Sequence, residues 1–307
     1  MSIIESTCPG LTTDDVLLQL EQLRPDLKGP QSNLESPDYH LAYCPERVLP
    51  GKVMSELKSN DRVIGGVSRR CSEKAMDVYR SFLEGHCVIA SNPRTAEMTK
   101  LTENSFRDVN IAFANELSLV CNDLGVDVWE LIELANRHPR VEILQPGPGV
   151  GGHCIAVDPW FIVSKSPDKS NLIRTAREVN DNKPKWVLQK LGASVLDYMN
   201  ENPSSRMSDL KLAVYGISFK PNIDELRESP ALEITQRIIK DFSCDVHIVE
   251  PNIEKLPSTL TNCRLSKVDD VQDANIHVML VDHNEFLTLP KPSGRVLDTR
   301  GVWKKSA

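Results

Sequence analysis

The stretch KLAVYGISFKPNIDELRESPALEITQRIIK at Lys211–Lys240 decides the fold class. Lys211–Gly216 is a short apolar run typical of a strand, and Pro230 begins a predicted helix with Ser229 as its N-cap. Further strands are predicted at Asp245–Glu250, Ile276–Val281 and Arg295–Asp298. Alternating strands and helices predict an α/β domain with a mostly parallel sheet at residues 208–307.

The same alternation is predicted in residues 1–94. Strands are expected at Ser2–Thr7, Tyr39–Tyr43, Arg62–Val67 and His86–Ala90. Helices are expected at Thr12–Leu23 and Ser72–Leu83. Because the pattern begins abruptly on a strand, it predicts a partial, Rossmann-like N-terminal domain whose upstream portion is missing.

Residues 95–200 form a predicted helical block between the two α/β domains. One helix runs to Leu124, where Gly125 supplies a C-terminal stop, and a second starts at Asp127. A third extends from about Asn171 to Asn200, with an interruption predicted near Pro184. The long apolar faces of these helices fit either core packing or a dimer interface.

Composition excludes several function classes. The chain of 307 residues carries a net charge of −7, which argues against broad binding to nucleic acid or anionic membranes. No apolar run reaches the ~18 residues of a membrane span, and no signal peptide is predicted. The eight cysteines show no CxxC spacing, so we expect reduced thiols, a cytoplasmic location and no metal site.

The richest candidate for chemistry is GPGVGGHCIAVD, Gly147–Asp158. Its glycines free the backbone for close approach to a ligand, and Cys154 follows where a loop is expected to enter a helix or turn. A thiol there could be activated by nearby amide dipoles or cations. A flexible turn with an inert cysteine is an equal alternative. Because no strand precedes the run, it is not interpreted as a dinucleotide-binding loop.

Three other segments place polar side chains together. Lys100 and Asn104 share one helix face, where they could stabilise an oxyanion or simply be solvated. Lys220 and Arg227 precede the helix start at Pro230, a setting suited to phosphates, although an ordinary loop has the same composition. In CPERVLPGK, Cys44–Lys52, an acid and an arginine follow a predicted strand.

Taken in order, these segments resemble the UDP-glucose/GDP-mannose dehydrogenase family over essentially the whole chain. The resemblance is carried by YCPERVLPGK, KLTENSFRDVNIAFANEL, NRHPR, QPGPGVGGHCIAVDPWF, FKPNIDELRESPA and VLDTRGVW. It implies NAD-dependent oxidation of the C6 alcohol of a UDP-sugar to a carboxylate. N-acetyl-D-mannosamine is the expected sugar, with N-acetylglucosamine or glucose as alternatives. It also implies a central dimerisation region, a C-terminal UDP-binding domain and a homodimer.

The same resemblance assigns roles in catalysis. Cys154 would attack the C6 aldehyde to give a thiohemiacetal and then a thioester. Lys100 and Asn104 would stabilise the oxyanions, and Asp158 would act as a general base. Glu46 would lie near the hydrolytic water.

Binding roles follow in the same way. The residues implied in substrate binding are Arg47, Arg140, Gly151, Lys220 and Arg300. Arg140 would reach the site of a neighbouring subunit. Thr7 and Arg227 would contact the cofactor.

One expectation runs against activity. The family begins with a strand, a glycine-rich turn and a helix that bind NAD, and nothing of that form precedes Ser2. We therefore expect the glycine loop of the NAD-binding part to be missing and turnover to be impaired. The alternative function is a non-catalytic remnant that binds a UDP-sugar or dimerises.

Overall fold

The computed structural model describes residues 1–31, 36–48 and 53–303, which form two compact units. Unit 1 contains Met1–Phe106 and Val157–Arg174. Unit 2 contains Arg107–Ala156 and Thr175–Ala307. Each unit has its own sheet and core. Nowhere in the described ranges is a helix both long and apolar enough to cross a bilayer.

The first two hundred residues contain four strands and seven helices within the described ranges. The strands are β1 Ser2–Ile4, β2 Leu41–Tyr43, β3 Arg62–Gly66 and β4 Cys87–Ile89. The helices are α1 Thr12–Leu23, α2 Val53–Ser59, α3 Arg69–Arg80, α4 Pro93–Leu124, α5 Val128–Ala135, α6 Asp158–Lys165 and α7 Asn171–Glu201. The predicted strands and helices are confirmed in type, whereas α2 and α6 were not predicted.

The sheet of unit 1 has the strand order β1-β2-β3-β4. The outer pairs β1–β2 and β3–β4 are parallel, and the central pair β2–β3 is antiparallel. Ala42, Ile64, Ala75 and Tyr79 pack together between the sheet and α3. The sheet is therefore mixed, and its central antiparallel pair was not foreseen from the sequence.

A buried carboxylate closes the start of α1. Leu11 precedes the helix with φ of 79°, an unfavourable conformation for a leucine. Glu97 of α4 is fully buried and accepts bonds from Leu11 N at 2.7 Å and Thr13 N at 2.8 Å. Thr13 Oγ1 also donates to this carboxylate, at 2.6 Å. Glu97 therefore satisfies two backbone donors that the first turn of a helix otherwise leaves open.

The predicted break in the third long helix is wrong, because α7 continues through Pro184. A proline removes one backbone donor and usually kinks a helix. Here the buried positions Val187, Leu191 and Val195 recur every four residues beyond it. They pack into the main core of unit 2, which holds the helix in place after the proline. The predicted start of α5 is confirmed: Asp127 is its N-cap and accepts from Trp129 N at 2.8 Å.

The C-terminal part of unit 2 is a parallel α/β domain. Its elements are β5 Lys211–Tyr215, α8 Pro230–Asp241, β6 Asp245–Val249, β7 Cys263–Leu265, β8 Ile276–Met279 and β9 Arg295–Asp298. Every strand pair is parallel, in the order β7-β6-β5-β8-β9. With β5 counted as the first strand, this is the order 3-2-1-4-5 of a Rossmann-like sheet, which confirms the predicted α/β class. The order reverses at β5, so the loops after β5 and β8 frame the crevice where such sheets bind ligands.

Candidate functional site

A cleft of about 340 Å³ lies in unit 2 where the strand order reverses. The loops after β5 and β8 supply Ser218, Lys220 and Asp282 to its wall. The glycine-rich run from Gly147 to Gly151 forms another part of the lining, together with Arg300. Three of the residues predicted to bind substrate, Gly151, Lys220 and Arg300, therefore line one cleft.

The glycine run packs against the loop between β5 and α8. A Cβ atom at Gly151 would lie 2.5 Å from the carbonyl oxygen of Glu228 and would clash with it. Gly152 has φ of 81° and donates its N–H to the same carbonyl at 3.3 Å. A side chain at either position would push the two segments apart. These glycines thus join two motifs that lie about seventy residues apart in the sequence.

The loop that carries Lys220 is closed by its own hydrogen bonds. Phe219 N donates to Glu225 O at 3.2 Å, and Ser229 Oγ donates to Ile217 O at 2.7 Å. Ser229 also caps α8 by accepting from Leu232 N, as predicted. The loop is therefore a fixed support for Lys220 at the rim of the cleft.

Glu250 and His283, which the sequence did not single out, hold this loop from below. Both side chains are fully buried and bonded to each other at 3.1 Å. Glu250 accepts from Ile217 N at 2.8 Å, and His283 Nδ1 accepts from Asn222 N at 2.9 Å. The carboxylate at the end of a strand was the only sequence signal for this pair.

Arg300 is fixed from three sides. Its Nε donates to Asp282 Oδ1 at 2.7 Å, and its Nη1 donates to Pro146 O at 3.3 Å. Asp298 accepts from its backbone N–H at 2.9 Å. A Cβ atom at Gly147 would lie 2.6 Å from Arg300 Nη1, so a side chain at this position would displace the end of the guanidinium.

The cleft is electropositive. Arg107, which the sequence did not single out, lines it together with Lys220 and Arg300. Asp282 is the one carboxylate among the lining residues, and it is paired with Arg300. The remaining cations give the cleft an excess of positive charge, which suits a phosphate-bearing ligand.

Cys154 lies in the loop that leads from the glycine run to α6, as predicted from the sequence. Its side chain is partly exposed, unlike the buried thiols of Cys8, Cys44, Cys71 and Cys121. Gly152, two positions before Cys154, is held by its hydrogen bond to the β5–α8 loop, so the backbone that leads to Cys154 is fixed within unit 2.

Asp158 and Asn104 are brought together in unit 1. Asn104 Nδ2 donates to Asp158 Oδ2 at 2.5 Å, and both side chains are at least nine-tenths buried. Burial, with the nearby carboxylates of Glu97 and Asp158, raises the pKa of the Cys8 thiol. Lys100 lies one turn before Asn104 on α4 and is partly exposed. The structure therefore brings two of the predicted catalytic residues, Asn104 and Asp158, into contact.

Glu46 and Arg47 form contacts with different residues of unit 1. Glu46 accepts from Val48 N at 2.8 Å and lies 3.7 Å from Nη1 of Arg62, a buried arginine. Arg47 forms an ion pair with Glu103 of α4. A half-exposed carboxylate such as Glu46 retains access to water.

Besides Arg47, three predicted binding residues lie outside the lining of the cleft. Arg227 is exposed and forked onto Glu225, at 3.0 and 2.7 Å. These bonds lower the pKa of Glu225 to about 2. Arg140 is exposed beyond the end of α5, and Thr7 lies in the turn after β1.

The sequence also missed a buried polar network on α4 and α7. Its members are Asp108, Asn115, Arg177 and Asn180, all at most 1% exposed. Arg177 Nη1 donates to Asp108 Oδ1 at 2.6 Å. Polar residues at helical spacing on an otherwise buried face were the available signal.

Known proteins resemble this chain over nearly its whole length. It is 57% identical to UDP-N-acetyl-D-mannosamine dehydrogenase of Escherichia coli strain K12 over 98% of this chain and 73% of that protein. It is 51% identical to NDP-N-acetyl-D-galactosaminuronic acid dehydrogenase of Ralstonia nicotianae, over 98% and 70%. The solved UDP-D-ManNAc dehydrogenase of Pyrococcus horikoshii superposes with a TM-score of 0.81 at 36% identity, covering 98% of this chain and 68% of that one.

Three domain descriptions of the UDP-glucose/GDP-mannose dehydrogenase family match in order. The NAD binding domain matches residues 1–83, the central domain 94–182 and the UDP binding domain 213–305. The prediction of a missing NAD-binding part is therefore wrong, because residues 1–83 match that domain. The expectations of a partial first domain and of impaired turnover, which rested on it, lose their support. This chain belongs to the UDP-glucose/GDP-mannose dehydrogenase family of NAD-dependent oxidoreductases.

Proposed function

We propose that the chain oxidises UDP-N-acetyl-D-mannosamine at C6 to UDP-N-acetyl-D-mannosaminuronate, a four-electron reaction with NAD as the oxidant. The observation that carries the proposal is the cleft of unit 2, which Gly151, Lys220 and Arg300 line together. The names of the relatives at 57% and 51% identity support a 2-acetamido sugar as substrate.

The diphosphate of the substrate is the natural occupant of the electropositive cleft. Lys220 lies on a loop held by backbone bonds, and Arg107 is exposed at the cleft wall. Charge-assisted bonds to phosphate are roughly twice as strong as neutral ones. Because Arg300 is already held by Asp282 and Pro146, little side-chain entropy is lost when it meets a ligand.

Cys154 is the proposed nucleophile. Its thiolate adds to the C6 aldehyde, and the sulfur–carbon bond retains the carbon while it is oxidised to a thioester. Attack by water then breaks this bond and releases the carboxylate and the thiol. Covalent capture explains how a reactive aldehyde is not lost between the two oxidations.

Asp158, Asn104 and Lys100 of unit 1 are the proposed proton and oxyanion groups. The Asn104 amide is oriented by its bond to Asp158, so its position is set before substrate binds. Asp158 takes the proton of the attacking water, and Lys100 and Asn104 stabilise negative charge on oxygen. Glu46, half-exposed and near the positive charge of Arg62, is the proposed second acid beside that water.

The turn after β1 fits the cofactor. It lies at the carboxyl end of a parallel strand pair, where α/β sheets bind ligands. Thr7 lies in this turn and is partly exposed, and no bond to its hydroxyl is found among the described residues. Thr7 and the exposed Arg227 are the proposed cofactor contacts, and NAD supplies the hydride acceptor when bound.

The first test is NADH formation at 340 nm, followed with mass spectrometry of the sugar product. UDP-N-acetylmannosamine should yield two NADH for each acid formed. A Cys154→Ser variant should still bind UDP-sugar but lose acid formation. Acid formation by this variant at the normal rate would refute the nucleophile.

The second test separates binding from chemistry. Lys220→Met should weaken UDP binding in calorimetry by at least about tenfold, since a charge-assisted bond contributes about 1.5–3 kcal/mol. Lys240→Met, an exposed lysine on α8, is the matched control and should leave the affinity unchanged. Equal effects of the two substitutions would rule out the cleft as the UDP site.

The identity of the sugar is tested by kcat/KM for UDP-N-acetylmannosamine, UDP-N-acetylglucosamine and UDP-glucose.

A homodimer in the cytoplasm remains our prediction for the assembly and location. Arg140 is exposed and therefore able to reach a neighbouring subunit. Mixing a Cys154→Ser variant with an Arg140→Ala variant should restore activity if Arg140 acts across subunits.

A further inference from the structure

A second cavity in unit 2, of about 330 Å³, is lined by different residues from the cleft. Three of the four tryptophans of the chain, Trp129, Trp186 and Trp303, form much of its apolar wall. Lys183 and Ser118 supply polar atoms from α7 and α4. Nothing in the proposed reaction uses this cavity.

Lys183 is an unusual cation for a protein interior. It is 3% exposed, and its Nζ donates to Ser118 Oγ and lies 4.3 Å from the centre of the Trp186 ring. Among the residues that the structure describes, no carboxylate forms an ion pair with it. Burial lowers its pKa to about 8, so the side chain remains mainly charged at pH 7. A buried charge without a counter-ion favours the binding of an anion.

The other charged groups of the cavity leave this preference intact. Lys291 adds a second cation to the lining. Asp298 is the one lining carboxylate, and it accepts the backbone N–H groups of Arg300, Gly301 and Trp303 at 2.8–2.9 Å. Its charge is therefore already engaged by three donors.

We propose that this cavity is a binding site for a small organic anion, whose carboxylate or phosphate meets Lys183 and whose flat apolar body packs against the tryptophans. Aromatic walls bind flat apolar groups, and a few polar groups fix the orientation of a ligand. The proposed reaction does not use this site, but the wall of the site continues into the wall of the substrate cleft.

Two pairs of residues connect the wall of this cavity to the wall of the cleft. Pro146 lines the anion cavity, and the next residue, Gly147, lines the cleft. Asp298 lines the cavity and holds the backbone of Arg300, which lines the cleft. A ligand that shifts either segment changes the cleft, which gives a coupling between two distinct sites.

The test uses phenyl phosphate and benzoate as probes, with benzyl alcohol as the uncharged control. Binding is followed by ¹H–¹⁵N spectra of the four tryptophan indoles. We expect the signals of Trp129, Trp186 and Trp303 to move, and that of Trp160 in unit 1 to stay in place. Benzyl alcohol should bind more weakly than either anion.

Lys183→Met should weaken the affinity for phenyl phosphate by at least about tenfold. Lys185→Met, an exposed neighbour bonded to Asn182, should leave it unchanged. Lys220→Met should also leave it unchanged, which separates this site from the cleft whatever the fate of the proposed substrate. If Lys183→Met does not fold, the test uses the affinity of Lys291→Met for phenyl phosphate and the shifts of the indole signals in the wild-type protein. Unchanged affinity in Lys183→Met, a shift confined to Trp160, or loss of probe binding in Lys220→Met would overturn the proposal.

Discussion

Asn115 Oδ1 accepts a hydrogen bond of 2.9 Å from the backbone N–H of Gly147, the first glycine of the run that lines the cleft. Asn115 Nδ2 in turn donates to Asn180 Oδ1 at 2.9 Å, and Asn180 Nδ2 donates to Asp108 Oδ1 at 2.8 Å. A buried chain of polar side chains on α4 and α7 therefore fixes where the glycine run begins.

Removal of this amide should disturb the cleft. Asn115→Ala leaves the Gly147 N–H and the Asn180 carbonyl without partners, at a cost of about 1–3 kcal/mol of unfolding free energy. We also expect a higher Kd for UDP, measured by calorimetry. Asn122→Ala, an exposed asparagine on the same helix, is the control. A Kd that does not change in Asn115→Ala would show that the glycine run is held by other contacts.

The Arg177–Asp108 pair should behave as one buried unit. Arg177→Met leaves the buried Asp108 carboxylate without its cation and should cost about 3–5 kcal/mol. Asp108→Leu should cost less, because Arg177 keeps its second ion pair, with Asp181. The double variant should lose clearly less than the sum of the two. Urea unfolding of all four proteins measures this coupling, and simple additivity would contradict it.

Lys183 predicts a specific dependence of stability on pH. Its pKa falls from 10.5 to about 8 on folding, so between these values the unfolded chain binds more protons. The unfolding free energy contributed by this lysine is therefore lowest below pH 8 and rises as the pH increases to 10.5. Lys183→Met should be more stable than wild type at pH 7, by on the order of 3 kcal/mol, with a difference that shrinks towards pH 10. Thermal melts across this pH range measure the stability difference between variant and wild type. Lys185→Met is the control, and its difference from wild type should not change with pH.

Thiol labelling should single out Cys154. Burial raises the pKa of Cys44 and of Cys244 to about 11, so at pH 8 few of these thiols are ionised. Cys154 is partly exposed in a loop. Iodoacetamide at pH 8, followed by peptide mass spectrometry, should modify Cys154 first. Faster modification of Cys44 or Cys244 would mean that the thiol of Cys154 is shielded.

Glu97 should be important for the stability of unit 1. Glu97→Ala removes three hydrogen bonds at the start of α1 and should cost about 2–4 kcal/mol, whereas Glu97→Gln keeps an acceptor and should cost less. Glu73→Gln, which removes only an exposed pair with Arg69, should change stability by less than about 0.5 kcal/mol. Unfolding curves that rank the three variants otherwise would contradict this role.

The sequence predicted elements best where local chemistry was strong. The Ser229–Pro230 start of α8 and the Asp127 start of α5 follow from capping residues whose bonds are local. The extent of α7 was misjudged at Pro184, because the packing that carries the helix onward comes from residues distant in sequence. The three-residue strand β7 was not predicted, although β1, β2 and β4, which have the same length, were.

The same contrast between local signals and distant partners holds for the residues of the candidate site. Lys220 was singled out by its place before the helix start at Pro230, and Arg300 by the resemblance of its segment to the family. Glu97, Glu250 and Asn115 were missed because their partners lie in other elements. No local pattern distinguishes a buried, bonded carboxylate from a solvated one. Only a fold that brings the partners together reveals that role.

The contact between Arg300 and Pro146 joins residues 154 positions apart. Contacts between residues so far apart in the sequence form late in folding. The entropy lost in closing a long loop must be overcome before such a contact stabilises the protein. The wall of the cleft is therefore incomplete until β9 has joined the sheet. During synthesis from the N-terminus, nascent unit 2 would expose this face until the last strand emerges. Mutations that slow the docking of β9 should thus delay the acquisition of ligand binding more than the formation of secondary structure.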